Sequence, residues 1–403
     1  MGSRFFTLFK LPPRPRRFIV ACESVIQCRI QGPSESNVKQ RQSRRQRNAP
    51  TISDVAREAG VSPMTVSRVI NGERNVRERT RAEVNRAIEV LGYTPNRAAR
   101  SLASADQIII GLLYSNPSAA YLSELLVGGL EQASRHNIQL VVEKCDSEKD
   151  AESVAMRLVA GGVEGILIPP PLSDQPRMLN LLHSSDTPAV AIASECVREN
   201  IASVSIDDYR AAYEMTRHII DLGHRRIGFI TGDDNQVASG RRLAGYRDAL
   251  AEAGLSHGEE LIAEGRFTYR SGLDAAQKLF ELDSPPTAVF ASNDDMAAAT
   301  VAVAHRRGLD VPTDLTVCGF DDTALATTIW PELTTIHQPI IEMARAAVDL
   351  LAERVRARRD EEELESRHQL LDFTLARRQS DAPPPDEKRR TEQRTRVVAE
   401  KLG

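Results

Sequence analysis

The sequence predicts a multidomain protein: a small all-α helix-turn-helix head, then an α/β body of two doubly wound parallel-sheet subdomains. Three observations carry this prediction. The chain has 403 residues, too many for one ordinary core. Residues 51–104 read as short amphipathic helices. From about Gln107 to Arg378, short β-rich runs alternate with helical stretches, the pattern of parallel sheets covered by helices on both faces. The expected divisions are a disordered basic extension at 1–48, the head at 49–104, the body at 105–380, and a disordered or helical tail at 381–403.

The head follows from its spacing. In "TISDVAREAGVSPMTVSRVIN" (51–71), Ile52, Val55, Ala56 and Ala59 recur at helical intervals and form one apolar face. Ser53 is the expected cap of this helix. Gly60 ends it, where positive φ carries no steric penalty. Val61 then turns inward. Ser62 caps a second helix with Pro63 at its first position, where a missing N–H does no harm. Val66, Val69 and Ile70 face the first helix, leaving Pro63, Met64, Ser67 and Arg68 outward. A third helix brings Val84, Ala87, Ile88 and Leu91 to complete the core. "TPNRAARSLAS" (94–104) is a short candidate helix, marginal on its own in water.

The body has seven candidate strands: "IIIGLL" (108–113), "QLVVE" (139–143), "GILIP" (165–169), "AVAI" (189–192), "RIGFI" (226–230), "AVFA" (288–291) and "LTVCGF" (315–320). Helices are expected between them, for example from Tyr121 to His136 and from Tyr209 to Leu222. There are too many units for one compact half, hence two subdomains. Polar residues follow several strands: Ser115-Asn116, Thr231-Gly232, Ser292-Asn293 and Asp321-Asp322. Such residues can cap the next helix or converge on a pocket beyond the strands' carboxyl ends.

Composition bounds the function. Hydrophobic residues make up 41% and aromatics 4%, so the cores are aliphatic. The net charge of −4 is uneven: residues 1–50 carry eleven Lys and Arg against two acids, and residues 51–104 nine Arg against six acids. A basic front end on an acidic body points to a polyanionic partner for the front end alone. Residues 1–48 read as a disordered basic tail, as the product of a wrongly chosen upstream start codon, or as a basic arm adding phosphate contacts. The cysteines Cys22, Cys28, Cys145, Cys196 and Cys318 form no C-x-x-C pair and are odd in number, which implies reduced thiols and no metal site. No apolar run reaches the roughly 18 residues of a membrane span, and Phe18–Ile26 is a poor signal peptide. The expected location is cytoplasmic. No H-E-x-x-H, G-x-S-x-G, P-loop or G-x-G-x-x-G pattern is present, so no enzyme and no cofactor is expected.

The motifs "TISDVAREAGVSPMTVSRVING" and "LGYTPNRAARSLA" resemble the DNA-binding region of the LacI/GalR family of bacterial repressors. Across about 107–378 the body resembles that family's periplasmic-binding-protein-like sensor, through "HIIDLGHRRIGFITG", "GRRLAGYRDAL", "PTAVFASNDDMAAA", "VCGFDDTALA" and "PELTTIHQP". The resemblance implies a transcriptional regulator acting as a homodimer on pseudo-palindromic operator DNA, with a sugar or sugar-like effector as allosteric partner and no membrane contact. It implies DNA contacts from Ser62, Pro63, Met64, Thr65, Ser67, Arg68 and Asn71, and hinge-helix contacts from Arg97, Ala99, Arg100 and Leu102. Leu102 matches the leucine that wedges into a minor-groove base step. For the effector it implies a polar clamp of Arg242, Asn293 and Asp321, a stacking Phe267, and Ser115 and Asn116 from the other subdomain. Tyr121 and Gln338 are further candidates. One departure stands out: many members carry an acidic residue after the strand that here reads "PAVAIASE", where this chain has Ala193 and Ser194, with Glu195 beyond.

Overall fold

The computed structural model describes residues 50–70, 76–93, 107–146, 148–194, 201–256, 258–362 and 364–385. The chain divides into two compact units between Ala103 and Ser104.

In the first unit, α1 (Ile52–Glu58), α2 (Pro63–Ile70) and α3 (Glu78–Leu91) enclose Val55, Ala56, Val66, Val69, Val84 and Ala87, all buried. Ile52, Ala59, Val61, Ile70, Ile88 and Leu91 pack around them. The cap of α1 differs from the expected one. Thr51 accepts from the Asp54 amide, and the Asp54 carboxylate accepts from the Thr51 amide, a reciprocal capping box. Ser53 lies inside the first turn, where its φ and ψ must be helical and it cannot cap. Ser62 caps α2 as expected, accepting from the Thr65 amide at 3.1 Å. Gly60 has φ +65° and Gly92 φ +59°, so α1 and α3 each end in a left-handed step.

In the second unit each lobe is built on a six-stranded sheet. The first contains β1 (Ile109–Tyr114), β2 (Gln139–Lys144), β3 (Gly165–Ile168), β4 (Ala189–Ile192), β5 (Ile201–Ser205) and β11 (His368–Leu370), in the order β11-β5-β4-β3-β1-β2. The second contains β6 (Ile227–Ile230), β7 (Ile262–Ala263), β8 (Ala288–Ala291), β9 (Thr316–Asp321), β10 (Thr334–His337) and β12 (Thr374–Ala376), in the order β12-β10-β9-β8-β6-β7. Both sheets therefore reverse direction at the same place, β1/β3 in one and β6/β8 in the other. β3, β4, β6 and β8 are buried along their whole length, which is why they read as continuous apolar runs. Two corrections apply to the sequence reading. β12 pairs antiparallel with β10, so the second sheet is not purely parallel. β5, β7, β10, β11 and β12 lie outside the runs read as strands. β5 and β10 are Ser- and Thr-rich, and β7, β11 and β12 are only two or three residues long.

Helices cover both faces: α4 (Ala119–Arg135), α5 (Glu148–Ala160), α6 (Pro176–Ser184) and α12 (Ile340–Arg359) on the first sheet, and α7 (Asp208–Asp221), α8 (Val237–Glu252), α9 (Tyr269–Phe280) and α10 (Asp294–Arg306) on the second. The short α11 (Ala324–Thr328) follows β9. The chain crosses between lobes three times, after β5, after β10 and after β11. Two histidines tie the second lobe together: His218 bonds Asp381, and His224 bonds Thr287, Thr316 and the Ala382 carbonyl. Asp381 and Ala382, read as the start of the tail, are thus bonded into the second lobe. No described helix is long and apolar enough to cross a membrane, and no described cluster of His, Cys, Asp or Glu could hold a metal.

Each lobe sets its helix pair by one glycine. A Cβ on Gly128 of α4 would lie 2.3 Å from the Ile341 carbonyl oxygen of α12, and one on Gly245 of α8 would lie 2.2 Å from the Tyr209 carbonyl oxygen of α7. Backbone blocks both, so no side-chain rotation relieves the clash. Gly128→Ala and Gly245→Ala should each destabilise the body by about 1–3 kcal/mol, as overpacking does. Urea denaturation checks this; an unchanged midpoint for either variant would contradict the close crossing.

Candidate functional site

Two surfaces carry the candidate residues. On the head, α2 presents Pro63 and Met64 at its N-terminal end and Arg68 in its last turn to solvent, with Met64 64% exposed. Ser67 and Thr65 are half-buried, and the Thr65 hydroxyl lies 2.9 Å from that of Ser62. An exposed methionine next to a proline is an apolar edge with no side-chain donor, flanked by hydroxyls and one guanidinium. Asn71, Arg97, Ala99, Arg100 and Leu102 lie outside the described residues, as does Glu195.

In the body, the topology brings strand ends of both sheets to one cleft, at the switch point of each. The small cavity there is lined from the first lobe by Asn116, Ser118 and Tyr121 after β1, Pro170 after β3 and Ala193 after β4. From the second lobe come Gln236, Ala238 and Arg242 around the start of α8, Phe267 after β7, and Asn293, Asp321 and Gln338 at the ends of β8, β9 and β10. Seven of the eight expected effector residues meet here. Ser115 does not: it precedes Asn116 in the turn after β1 and is not part of the lining.

Arg242 is the centre of this cluster and only 5% exposed. Its Nε donates to Asp208 at 2.7 Å, Nη1 to the Ser292 carbonyl at 2.5 Å, and Nη2 to Gln338 at 3.3 Å. Asp321 stands 3.9 Å from Nη1, and the guanidinium lies over the Phe320 ring, 3.5 Å from its centroid. Of the guanidinium's five N–H groups, three are used in these hydrogen bonds. Asp208, which sequence reasoning did not single out, is the buried partner at the start of α7. Its only sequence signal was its place in the first turn of a helix, a common position for any acid.

The other candidates divide by how they are engaged. Asn293 caps α10, accepting from the Met296 amide, while its Nδ2 donates to the Phe267 carbonyl. Asn116 accepts from the Ser118 amide and donates to the Pro170 carbonyl. Both asparagines shape the cleft through the backbone. Phe267 does two jobs: it belongs to the second lobe's core and lines the cavity. Its ring lies so close to Gly232 that a Cβ there would be 1.9 Å from Cζ. The Tyr121 hydroxyl is buried and has no hydrogen-bond partner among the described residues. An unmet buried hydroxyl costs about 1–3 kcal/mol, which a ligand can recover.

Electrostatics at the cleft are dominated by burial. It lifts the Asp321 carboxyl well above the usual range; Arg242 opposes this, and Asp294, Asp295 and Asp208 reinforce it. Burial also raises the Tyr121 phenol, aided by Asp321. Burial raises Asp294 to about 7, although Thr335 and Thr323 donate to its carboxylate. Backbone strain collects at the same place. Ala193, Phe267 and Asp321 all have positive φ, at 52°, 55° and 106°. Such conformations cost about 1–3 kcal/mol for non-glycine residues and gather at ligand sites.

The cleft is closed: its cavity is about 30 Å³, room for one water. Two hydrogen bonds cross it. Ser118 donates to Asp295 at 2.6 Å, and the Val237 amide, the first of α8, donates to Asp174 at 3.0 Å. Asp174 also accepts from the Ser194 hydroxyl at 2.9 Å. The missing acid after β4 is thus accompanied by a carboxylate from the turn after β3, held by Ser194 and directed at a helix N-terminus.

Comparison with known proteins agrees with this architecture. Residues 51–96 match the model for bacterial regulatory proteins of the lacI family, and residues 216–380 match a periplasmic binding protein-like domain. The chain is 38% identical over 303 residues to catabolite control protein A of Priestia megaterium, covering 75% of this chain and 91% of that one. It is 35% identical over 316 residues to the transcriptional regulator CelR of Thermobifida fusca, covering 77% and 93%. Among solved structures, a CelR–cellobiose complex superposes with a TM-score of 0.63 at 33% identity, covering 82% of this chain and 99% of that one. The lac repressor dimer bound to operator and the anti-inducer ONPF superposes with a TM-score of 0.69 at 27% identity, covering 83% and 99%.

The Asp174 contact can be read directly. Asp174→Ala should speed hydrogen exchange of the Val237 amide by about 10- to 100-fold, the scale of a lost hydrogen bond to a charge. Exchange measured by mass spectrometry on the α8 peptide checks this; an unchanged rate would show that the contact does not hold the cleft.

Proposed function

Because the chain belongs to the LacI family of bacterial regulatory proteins and is a DNA-binding transcriptional regulator, we propose that it is a cytoplasmic repressor whose operator binding is set by a sugar or sugar-like effector in the body's cleft. The observation that carries the reading is the buried Arg242 cluster at the carboxyl ends of the second sheet, with the unpaired Tyr121 hydroxyl of the first lobe in the same cleft. Arg242 and Asp321 offer planar groups that pair with vicinal hydroxyls, and Phe267 offers an apolar ring against C–H surface. The cellobiose complex of a 33%-identical regulator supports a sugar. The protein binds this ligand without turning it over; the two relatives compared above are regulators.

The DNA contacts we assign are Ser62, Pro63, Met64, Thr65, Ser67, Arg68 and Asn71, with Arg97, Ala99, Arg100 and Leu102 from the hinge segment. The protein acts as a homodimer on a two-fold site, since a two-fold protein reads a two-fold sequence. The lac repressor dimer on its operator supports this. So do Val127 and Leu130, exposed large apolar residues on α4. Allosteric coupling between cleft and operator is reciprocal by necessity.

Two measurements test this reading. A thermal-shift screen of sugars should find a ligand, and that ligand should change operator affinity by the same factor, about 5- to 150-fold, by which operator changes ligand affinity. Equal ligand affinity with and without operator would end the allosteric claim. Met64→Ala should weaken operator binding less than about 10-fold and evenly across single-base operator variants, because methionine reads by contact and not by paired hydrogen bonds. A large loss confined to one G·C pair, seen by fluorescence anisotropy, would contradict that assignment.

A further inference from the structure

The cleft's charges bear on which sugar chemistry it accepts. Arg242 is the only cationic side chain among the described residues lining the cavity. Its charge is already matched. Asp208 sits at 2.7 Å on Nε, and Asp321 stands 3.9 Å from Nη1. With Asp208 alone ionised, the cluster sums to zero; with Asp321 ionised as well, it is negative. Two further carboxylates, Asp174 from the first lobe and Asp295 from the second, each accept a hydrogen bond from the opposite lobe, from the Val237 amide and the Ser118 hydroxyl. The remaining polar lining is neutral: Asn116, Ser118, Gln236, Asn293, Gln338 and the unpaired Tyr121 hydroxyl. An uncharged polyol can pair with all of these. A phosphate monoester would bring one to two negative charges to a site with no cation left to meet them, and desolvation would make the repulsion worse.

We infer that the cleft selects an uncharged polyol and excludes sugar phosphates, with Asp208 as the specificity-determining residue that neutralises Arg242 from behind. This rests on the proposed sugar effector and deepens it. Asp208 does not line the cavity. It acts by cancelling the guanidinium's charge while leaving the two unused N–H groups of Nη1 and Nη2 free to donate to hydroxyl oxygens. Replacing it by the isosteric amide would keep an acceptor for Nε and release one unit of positive charge into the cleft.

The test uses the full-length protein and a calorimetric panel of aldoses, ketoses and disaccharides, each paired with its monophosphate. In the wild type, the binding neutral member should exceed its phosphate by about 100-fold or more, the size of one charge repulsion across a partly buried site. Asp208→Asn should cut that ratio at least tenfold. Inorganic phosphate gives a second readout that does not depend on which sugar binds. It should raise the melting temperature of Asp208→Asn by more than it raises that of the wild type, the basic head being the same in both. If Asp208→Asn does not fold, Gln338→Glu, which adds a negative charge beside Nη2, should instead widen the ratio, and a narrowed or unchanged ratio counts against the inference. A wild type that prefers a phosphorylated member, or a ratio and phosphate response unmoved by the substitution, overturns this inference and leaves the sugar effector standing. A panel in which neither series binds overturns the sugar effector itself.

Discussion

Burying one guanidinium organises the second lobe. A charge out of water costs several kcal/mol unless it is paired and its donors are met. Arg242 is met from four directions: Asp208 at the start of α7, the Ser292 carbonyl after β8, Gln338 after β10, and the Phe320 ring in β9. Each partner lies at a strand end or a helix start, so the strands must finish in register for the pairing to close. Asp321, strained at φ 106°, completes the set. The strain and the buried charge occur together because both serve the same few cubic ångströms.

The first lobe has the same winding but no such cation among its described lining residues. It contributes a hydroxyl without a partner, an asparagine that ties its own turn, and backbone at Pro170 and Ala193. The cleft is therefore asymmetric: one wall is fixed by an ion cluster and the other offers neutral groups. The glycine crossings in the two lobes, at Gly128 and Gly245, let each lobe's helix pair approach equally closely. The difference between the lobes thus resides in the loops and not in the frame, as expected where function is grafted onto a repeated fold.

Much of this was legible in the sequence, for particular reasons. β1, β6, β8 and β9 are short apolar runs that end at polar residues, so both the strands and the cleft residues at their ends could be read. β5 reads "IASVS" and β10 "TTIH", and hydroxyl residues conceal burial because they are equally common in loops. The cap of α1 was misplaced by two residues, since Thr51, Ser53 and Asp54 can all cap and only backbone φ and ψ distinguish them. Asp208 and Asp174 were missed because their roles depend on contacts of 34 and 63 residues' separation. No local period carries such information. Ser115 was included by adjacency to Asn116; in a turn, neighbouring side chains diverge.

The closed cleft also constrains how a ligand can act. A cavity holding one water cannot admit a sugar without the lobes separating. Separation must break the Ser118–Asp295 and Val237–Asp174 hydrogen bonds, and it can do so only by turning about the three crossings after β5, β10 and β11. A bound polyol then stands between the same walls and replaces direct lobe-to-lobe contacts with its own. The ligand's leverage on the two-lobe geometry is the difference between these two sets of contacts, since tight binding without such a difference shifts nothing. The carboxylates of Asp174 and Asp295 are therefore as relevant to control as Arg242 is to recognition: they define the state against which the ligand must compete.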